Sequence, residues 1–150
     1  MKGLQYNIWA PDGLMPERST EGSAGFDLKA DIQEGETVVI QPGESHVFST
    51  GVILEPQQDG WMCLVYSRSG ISTRDQVMLL NGVAVIDPDY RGAIHVPLIN
   101  FGDKPVQFRR GDRIAQLCFC PFGVPQFTVV RPDQMSQTNR GGRGFGHTGI

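Results

Sequence analysis

The sequence predicts an all-β barrel or sandwich, and three observations carry that reading. Short runs rich in β-branched and aromatic residues recur roughly every ten residues, each bounded by turn-forming residues. Glycine (19) and proline (10) fall so regularly that the longest interval free of both is 71–81, which caps any helix at about three turns. No strand–helix–strand alternation appears, and neither a GxxxxGKS/T loop nor a strand–GxGxxG–helix unit is present, which excludes the usual nucleotide folds. At 150 residues the chain is one domain, long enough to bury about two-thirds of its unfolded surface without disulfide or metal staples.

In order, the expected strands are TVVI (37–40), HVFSTGVIL (46–54), WMCLVY (61–66), GVAVI (82–86), AIHVPLIN (93–100), VQF (106–108), RIAQLCFC (113–120) and FTVV (127–130). Ser72-Thr73-Arg74-Asp75 reads as an N-cap, so one short helix is expected to start there. From Asn139 the composition changes to NRGGRGFGHTGI, with five glycines and no periodicity. Glycine loses the most entropy on ordering, so residues 139–150 are expected to form a flexible end to the 1–138 body.

A net charge of −3 argues against duplex binding, which relies on a strongly basic face. No apolar run approaches the ~20 residues of a membrane span, and MKGLQYNIWAPDG lacks the apolar stretch of a signal peptide. The expectation is a soluble, unprocessed protein with the cytoplasm as default location; a viral or phage origin would read the same. Ten of the thirteen basic residues are arginine, whose planar fork matches phosphate oxygens two at a time. Cys63, Cys118 and Cys120 fit neither a disulfide framework nor a zinc knuckle. Cys118 and Cys120, two apart, should share one strand face as small buried hydrophobes. His46, His95 and His147 are scattered, so no protein-ligated transition metal is expected.

Four segments carry chemistry-bearing residues. In NGVAVIDPDYRG (81–92) an apolar run ends in Asp-Pro-Asp turn chemistry, predicting a hairpin whose first arm delivers Asp87 at a strand end. A carboxylate following four apolar residues is expected to be partly desolvated, which suits a general base. In Tyr66-Ser67-Arg68-Ser69-Gly70 an arginine between hydroxyls offers fork, hydroxyl and backbone donors to a phosphate. RRGDRIAQL (109–117) is a basic turn leading into a strand that carries Gln116. AGFDL (24–28) sets Asp27 inside an apolar stretch, where an acid is normally buried only with a hydrogen-bonding partner. Each segment alone also fits a purely structural turn or cap.

Their order is specific. AGFDL, SRSG, VIDPDYRG, GDRIAQL and RGGRGFGHTG, spread over 24–149, closely resemble the motifs of the deoxyuridine triphosphatase family. Two departures stand out: Ser67 where a proline is common, and Arg143 in place of a tail glycine.

The resemblance implies an all-β, jelly-roll-like barrel assembled as a homotrimer, its active sites at subunit boundaries and each covered by a neighbour's tail. The implied reaction is hydrolysis of dUTP to dUMP and pyrophosphate, with Mg²⁺ bound mainly by the triphosphate and no direct protein ligand. By matching position, Asp87 would activate the water that attacks the α-phosphorus. Asn81, with backbone groups of Val85 and Ile86, would read the uracil edge, and Tyr90 would pack under the deoxyribose. His95 would add a substrate contact through its main chain. Arg68, Ser69, Gly70 and Gln116 would hold the phosphates, and Asp27 would support them from behind. From the tail, Arg140 would meet the γ-phosphate and Phe145 would stack on the uracil, with Gly146, His147 and Thr148 supplying donors. The related dCTP deaminases need a glutamate after the hairpin, and AIHVPLIN has no acid. A regulatory or RNA-contacting module acting through the Arg/Gly tail is the alternative from another class.

Overall fold

The computed structural model describes residues 3–144. In chain order the elements are β1 (Tyr6–Trp9), β2 (Phe26–Lys29), β3 (Val38–Ile40), β4 (Ser45–Ser49), β5 (Ile53–Pro56), β6 (Trp61–Tyr66), α1 (Ser69–Arg74), β7 (Val77–Leu79), β8 (Val83–Ile86), β9 (His95–Asn100), β10 (Val106–Phe108), β11 (Arg113–Pro121) and a 3₁₀ turn at Pro132–Gln134. All strand pairings are antiparallel. They form a four-stranded sheet β2-β11-β6-β8, a three-stranded sheet β4-β9-β7 and two ribbons, β1-β5 and β10-β3. The all-β, jelly-roll-like fold expected from sequence is observed, and it is built of open sheets.

Alternation explains the core. Along β9 the pattern runs exposed, buried, half-buried, so Val96, Leu98 and Asn100 point inward. They meet Phe48, Val77, Leu79 and, from the larger sheet, Leu28, Val65, Ala115 and Leu117, all within 3% of full burial. Each buried Leu or Phe contributes about 1.5–3 kcal/mol. Phe48 and Phe108 meet at 5.1 Å between ring centroids, joining the β10-β3 ribbon to the core. Asn100, fully buried, donates to the carbonyls of Ile40 (2.9 Å) and Lys104 (2.7 Å) and accepts from the Gly102 amide (2.8 Å), so its amide is satisfied.

Several sequence expectations are corrected. The run 46–54 is two strands, because Gly51 takes φ +66° and breaks it after Ser49. FTVV (127–130) forms no strand: it has no partner strand among the described residues, and Phe127 and Val129 are 89% and 97% exposed. Helix α1 begins at Ser69, so the expected N-cap sits at its end. There the Ser72 and Thr73 hydroxyls fold back onto the carbonyls of Arg68 (2.9 Å) and Ser69 (2.7 Å) four residues earlier. β8 pairs with β6, while β9 pairs with β4 and β7, so 81–100 turns at Asp-Pro-Asp without forming a two-stranded hairpin ladder. Cys118 and Cys120 do share a strand face, but it points away from the core and both are half-buried; Cys63 is the buried one.

Candidate functional site

The four-stranded sheet organises the candidate residues. Directly paired residues project to the same face, so a row Asp27–Gln116–Tyr66–Val83 crosses the outward side. A second row, Cys118–Leu64–Val85, lies beside it. This outward face is largely apolar, with Val83 and Val85 43% and 56% exposed.

At the polar end of that face, Asp27 is 9% exposed and its carboxylate is fully engaged. It accepts from Arg68 Nε at 2.7 Å, from Ser19 Oγ at 3.2 Å and from an Arg113 guanidinium nitrogen at 3.4 Å. Arg68 also donates to the Arg113 carbonyl at 3.2 Å. An acid inside an apolar stretch is thus paired, as burial of a charge requires. Gln116 donates from Nε2 to the Ser67 carbonyl at 2.9 Å, which leaves its second amide hydrogen available. Ser67 Oγ accepts from the Leu79 amide at 2.8 Å, a bond that anchors the turn and that a proline side chain could not make. Ser69 and Gly70 occupy the first turn of α1, whose amides lack intrahelical partners. A cleft of about 290 Å³ lies beside Arg68, lined also by Arg74, Gln107, Asp112 and Arg113 but not by Ser69, Gly70 or Gln116.

The other half lies where β8 ends. Val85, Ile86, Asp87, Tyr90 and His95 line a cleft of about 220 Å³. The Asp87 carbonyl accepts from the Tyr90 amide at 3.1 Å, closing the Asp-Pro-Asp turn. Tyr90 Oη donates to the Ala93 carbonyl at 3.0 Å, and His95 Nδ1 lies 2.8 Å from the same oxygen. A carbonyl only accepts, so the His95 proton resides on Nδ1 and Nε2 is the open nitrogen. Asp87 is exposed, a correction to the desolvated carboxylate expected after four apolar residues. Asn81 precedes β8, exposed, and does not line this cleft.

The two clefts share no residue. In the antiparallel β6–β8 pair, Val83 faces Tyr66 and Ile86 faces Cys63, so Arg68 and Asp87 follow from opposite ends of the ladder. One copy of the chain therefore carries the guanidinium–amide cradle and the Asp87 cleft at opposite ends of that ladder. In the tail, Arg140 and Arg143 exchange donors with each other's carbonyls at 2.9 and 3.0 Å around an exposed turn, and neither lines either cleft. Phe145, Gly146, His147 and Thr148 lie outside the described residues.

Two positions escaped the sequence reading. A Cβ on Gly25 would lie 2.5 Å from Gln116 Oε1, so the bare backbone of AGFDL leaves the Gln116 carboxamide its place. Arg113, in the basic turn before Gln116, is a second cation on Asp27. Only its adjacency to Gln116 hinted at this, since the contact spans 86 residues.

The structure is thus an open-sheet, jelly-roll-like all-β domain with a carboxylate-bearing cleft and a separate guanidinium–amide cradle. The comparisons are more specific. A family model described as dUTPase matches residues 12–149. The deoxyuridine 5'-triphosphate nucleotidohydrolases of Desulfitobacterium hafniense and Beijerinckia indica are 41% and 43% identical, covering 91% and 92% of this chain and 87% and 85% of theirs. Among solved structures, the dUTPase of Staphylococcus bacteriophage 80alpha with dUpNHpp superposes with a TM-score of 0.82 at 26% identity over 100% of both chains. A dUTPase from Streptococcus mutans gives 0.70 at 29% identity over 81% of this chain and 98% of its own. The chain belongs to the dUTPase family.

Proposed function

We propose that the protein hydrolyses dUTP to dUMP and pyrophosphate at sites completed by more than one copy of the chain. The observation that carries this reading is the cleft at the end of β8, where Asp87 stands beside Tyr90, His95 and the Val85–Ile86 backbone. That cleft takes the deoxyuridine: Val85 and Ile86 read the uracil edge from within it, Asn81 reaches the base from outside it, and Tyr90 packs under the sugar. Asp87 accepts a proton from a water as its oxygen bonds to the α-phosphorus. The bond from that phosphorus to the bridging oxygen breaks, and pyrophosphate leaves with the electron pair.

The triphosphate lies against Arg68, Ser69, Gly70 and Gln116, whose donors meet the charge that grows on the leaving oxygens. Asp27 holds Arg68 in place for that work. Mg²⁺, when bound, would neutralise phosphate charge, held by the substrate's oxygens and water. Substrate supplies its oxygens, and the described residues gather no group of three His, Cys, Asp or Glu.

A homotrimer reconciles the two half-sites. The ends of the β6–β8 ladder lie apart within one copy, so the Asp87 cleft of one copy would face the Arg68 cradle of the next. The half-exposed apolar face around Leu64, Val83, Val85 and Cys118 is surface that such an assembly would bury. Residues 139–150 act as the lid, with Arg140 on the γ-phosphate, Phe145 over the uracil, and Gly146, His147 and Thr148 as donors. Ordering such a segment costs about 1–2 kcal/mol per residue, which charge-assisted bonds to the full triphosphate offset and dUMP does not. No nucleic acid or membrane partner enters this reading; among the described residues no helix is long and apolar enough to cross a membrane.

The test is product analysis with purified protein and Mg²⁺. Pyrophosphate should appear from dUTP and not from dCTP, dTTP or UTP. Ammonia released from dCTP, or no turnover of dUTP, would overturn the assignment.

A further inference from the structure

Gly92 is a glycine for an unusual reason. It is absent from the residues with positive φ, so its backbone is one that any residue adopts. What it lacks is room. A Cβ built there would have, as its three nearest atoms, the hydroxyl end of the Tyr90 ring, with Cζ at 2.5 Å and Cε2 at 3.0 Å. The hydroxyl end of the ring packs against the bare Gly92 backbone, and its hydroxyl donates to the Ala93 carbonyl at 3.0 Å. The same carbonyl holds His95 Nδ1 at 2.8 Å, so the segment 92–93 seats two of the side chains that line the nucleoside cleft.

We propose that Gly92 is a positioning residue for sugar selectivity, acting through the Tyr90 ring that it allows to sit low in the cleft. This rests on the reading of Tyr90 as the platform under the deoxyribose. A ring lying on Gly92 fills the volume a 2′-hydroxyl would need, whereas a methyl group at position 92 lifts the ring away from the Ala93 carbonyl. Tyr90 is 43% exposed, so the lifted ring swings into solvent at small cost to the fold. Selectivity then suffers more than stability. Losing the ring's seat should therefore lower the preference for dUTP over UTP, because the shape that rejects the added hydroxyl is lost.

The experiment is a double-variant cycle on the full-length protein, reading the ratio of kcat/KM for dUTP to that for UTP, with circular dichroism and a thermal melt for each variant. Gly92→Ala is expected to fold and lower the ratio at least tenfold. Tyr90→Ala is expected to lower it comparably, and the double variant to match Tyr90→Ala with no further loss. A wild-type ratio in Gly92→Ala beside a lowered one in Tyr90→Ala overturns the role of Gly92 alone. A wild-type ratio in Tyr90→Ala overturns the platform reading instead. If Gly92→Ala does not fold, a double variant that folds like Tyr90→Ala supports the proposal, because only the ring stood in the way. A double variant that also fails to fold overturns it.

Discussion

Asp87 and Asp27 are carboxylates with opposite surroundings, and the contrast separates their roles. Asp27 is nearly enclosed, with three side-chain donors on its carboxylate and Arg68 nearest at 2.7 Å, so its charge is committed to holding a guanidinium. Asp87 is exposed at a strand end, and no side-chain hydrogen bond engages its carboxylate among the described residues. That leaves it free to accept a proton. Asp87→Asn keeps the shape and removes the base, so dUMP binding should be retained while turnover falls about 10²–10⁴-fold, measured by pyrophosphate release. Near-normal turnover would take Asp87 out of the reaction. The pattern NGVAVIDPDYRG placed Asp87 at a strand end correctly, because Asp-Pro-Asp is strong local turn chemistry. Its solvent exposure was not legible there, since burial depends on what other elements cover the turn.

Among the elements, β11 does most to build the anion-facing half-site, being paired on both edges, with β2 and β6. Its register sets Gln116 opposite both Asp27 and Tyr66, and a shift between Arg113 and Ala115 re-aims the strand just before it. The approach of β2 is close enough that Gly25 has no room for a side chain beside Gln116 Oε1. Gly25→Ala should therefore turn the Gln116 carboxamide off the Ser67 carbonyl and raise the KM for dUTP roughly tenfold, with kcat less affected. An unchanged KM would show that Gln116 accommodates the methyl without leaving its place. Helix α1 illustrates the limits of local signals. Ser72 and Thr73 resemble a cap in sequence, yet a hydroxyl inside a helix bonds the carbonyl four residues back equally well. The strand β7, packed against β9, then ends any continuation of the helix.

The whole molecule adds two properties that no single element has. None of residues 138–144, the described residues beyond Gln137, belongs to the buried core, so ending the chain at Gln137 should leave the melting profile intact while turnover of dUTP collapses. Unchanged kcat in that truncation would remove the lid. The second property is a pH dependence of stability. Cys63 lies on the inward side of β6, where burial pushes its thiol from 9.0 up to about 11; burial pushes the Tyr6 hydroxyl up as well. Because the folded state holds the proton more tightly than the unfolded chain, this contribution is intact below about pH 9 and declines as pH rises through 11. Urea midpoints should fall across that interval, and Cys63→Ala should show a shallower fall. Parallel slopes in the two proteins would mean that the thiol plays no part.

At 61–66 and 106–108 an apolar run starts directly after a glycine or proline and the expected strand limits match the observed ones, whereas β1, β2 and β7 were not expected as strands at all. The chain alone determined the order of its motifs, and with it the family, because motif order is a property of the chain and needs no folding to be read. Tertiary structure decided the rest. FTVV has the β-propensity of a strand and is not one, because a strand exists only through a neighbour's hydrogen bonds. Likewise β8 joined β6 instead of β9, and Asp87 and Arg68 came to opposite ends of one ladder. Pairing between distant segments is chosen by the packing of both sheets at once, and no local pattern of residues encodes that choice.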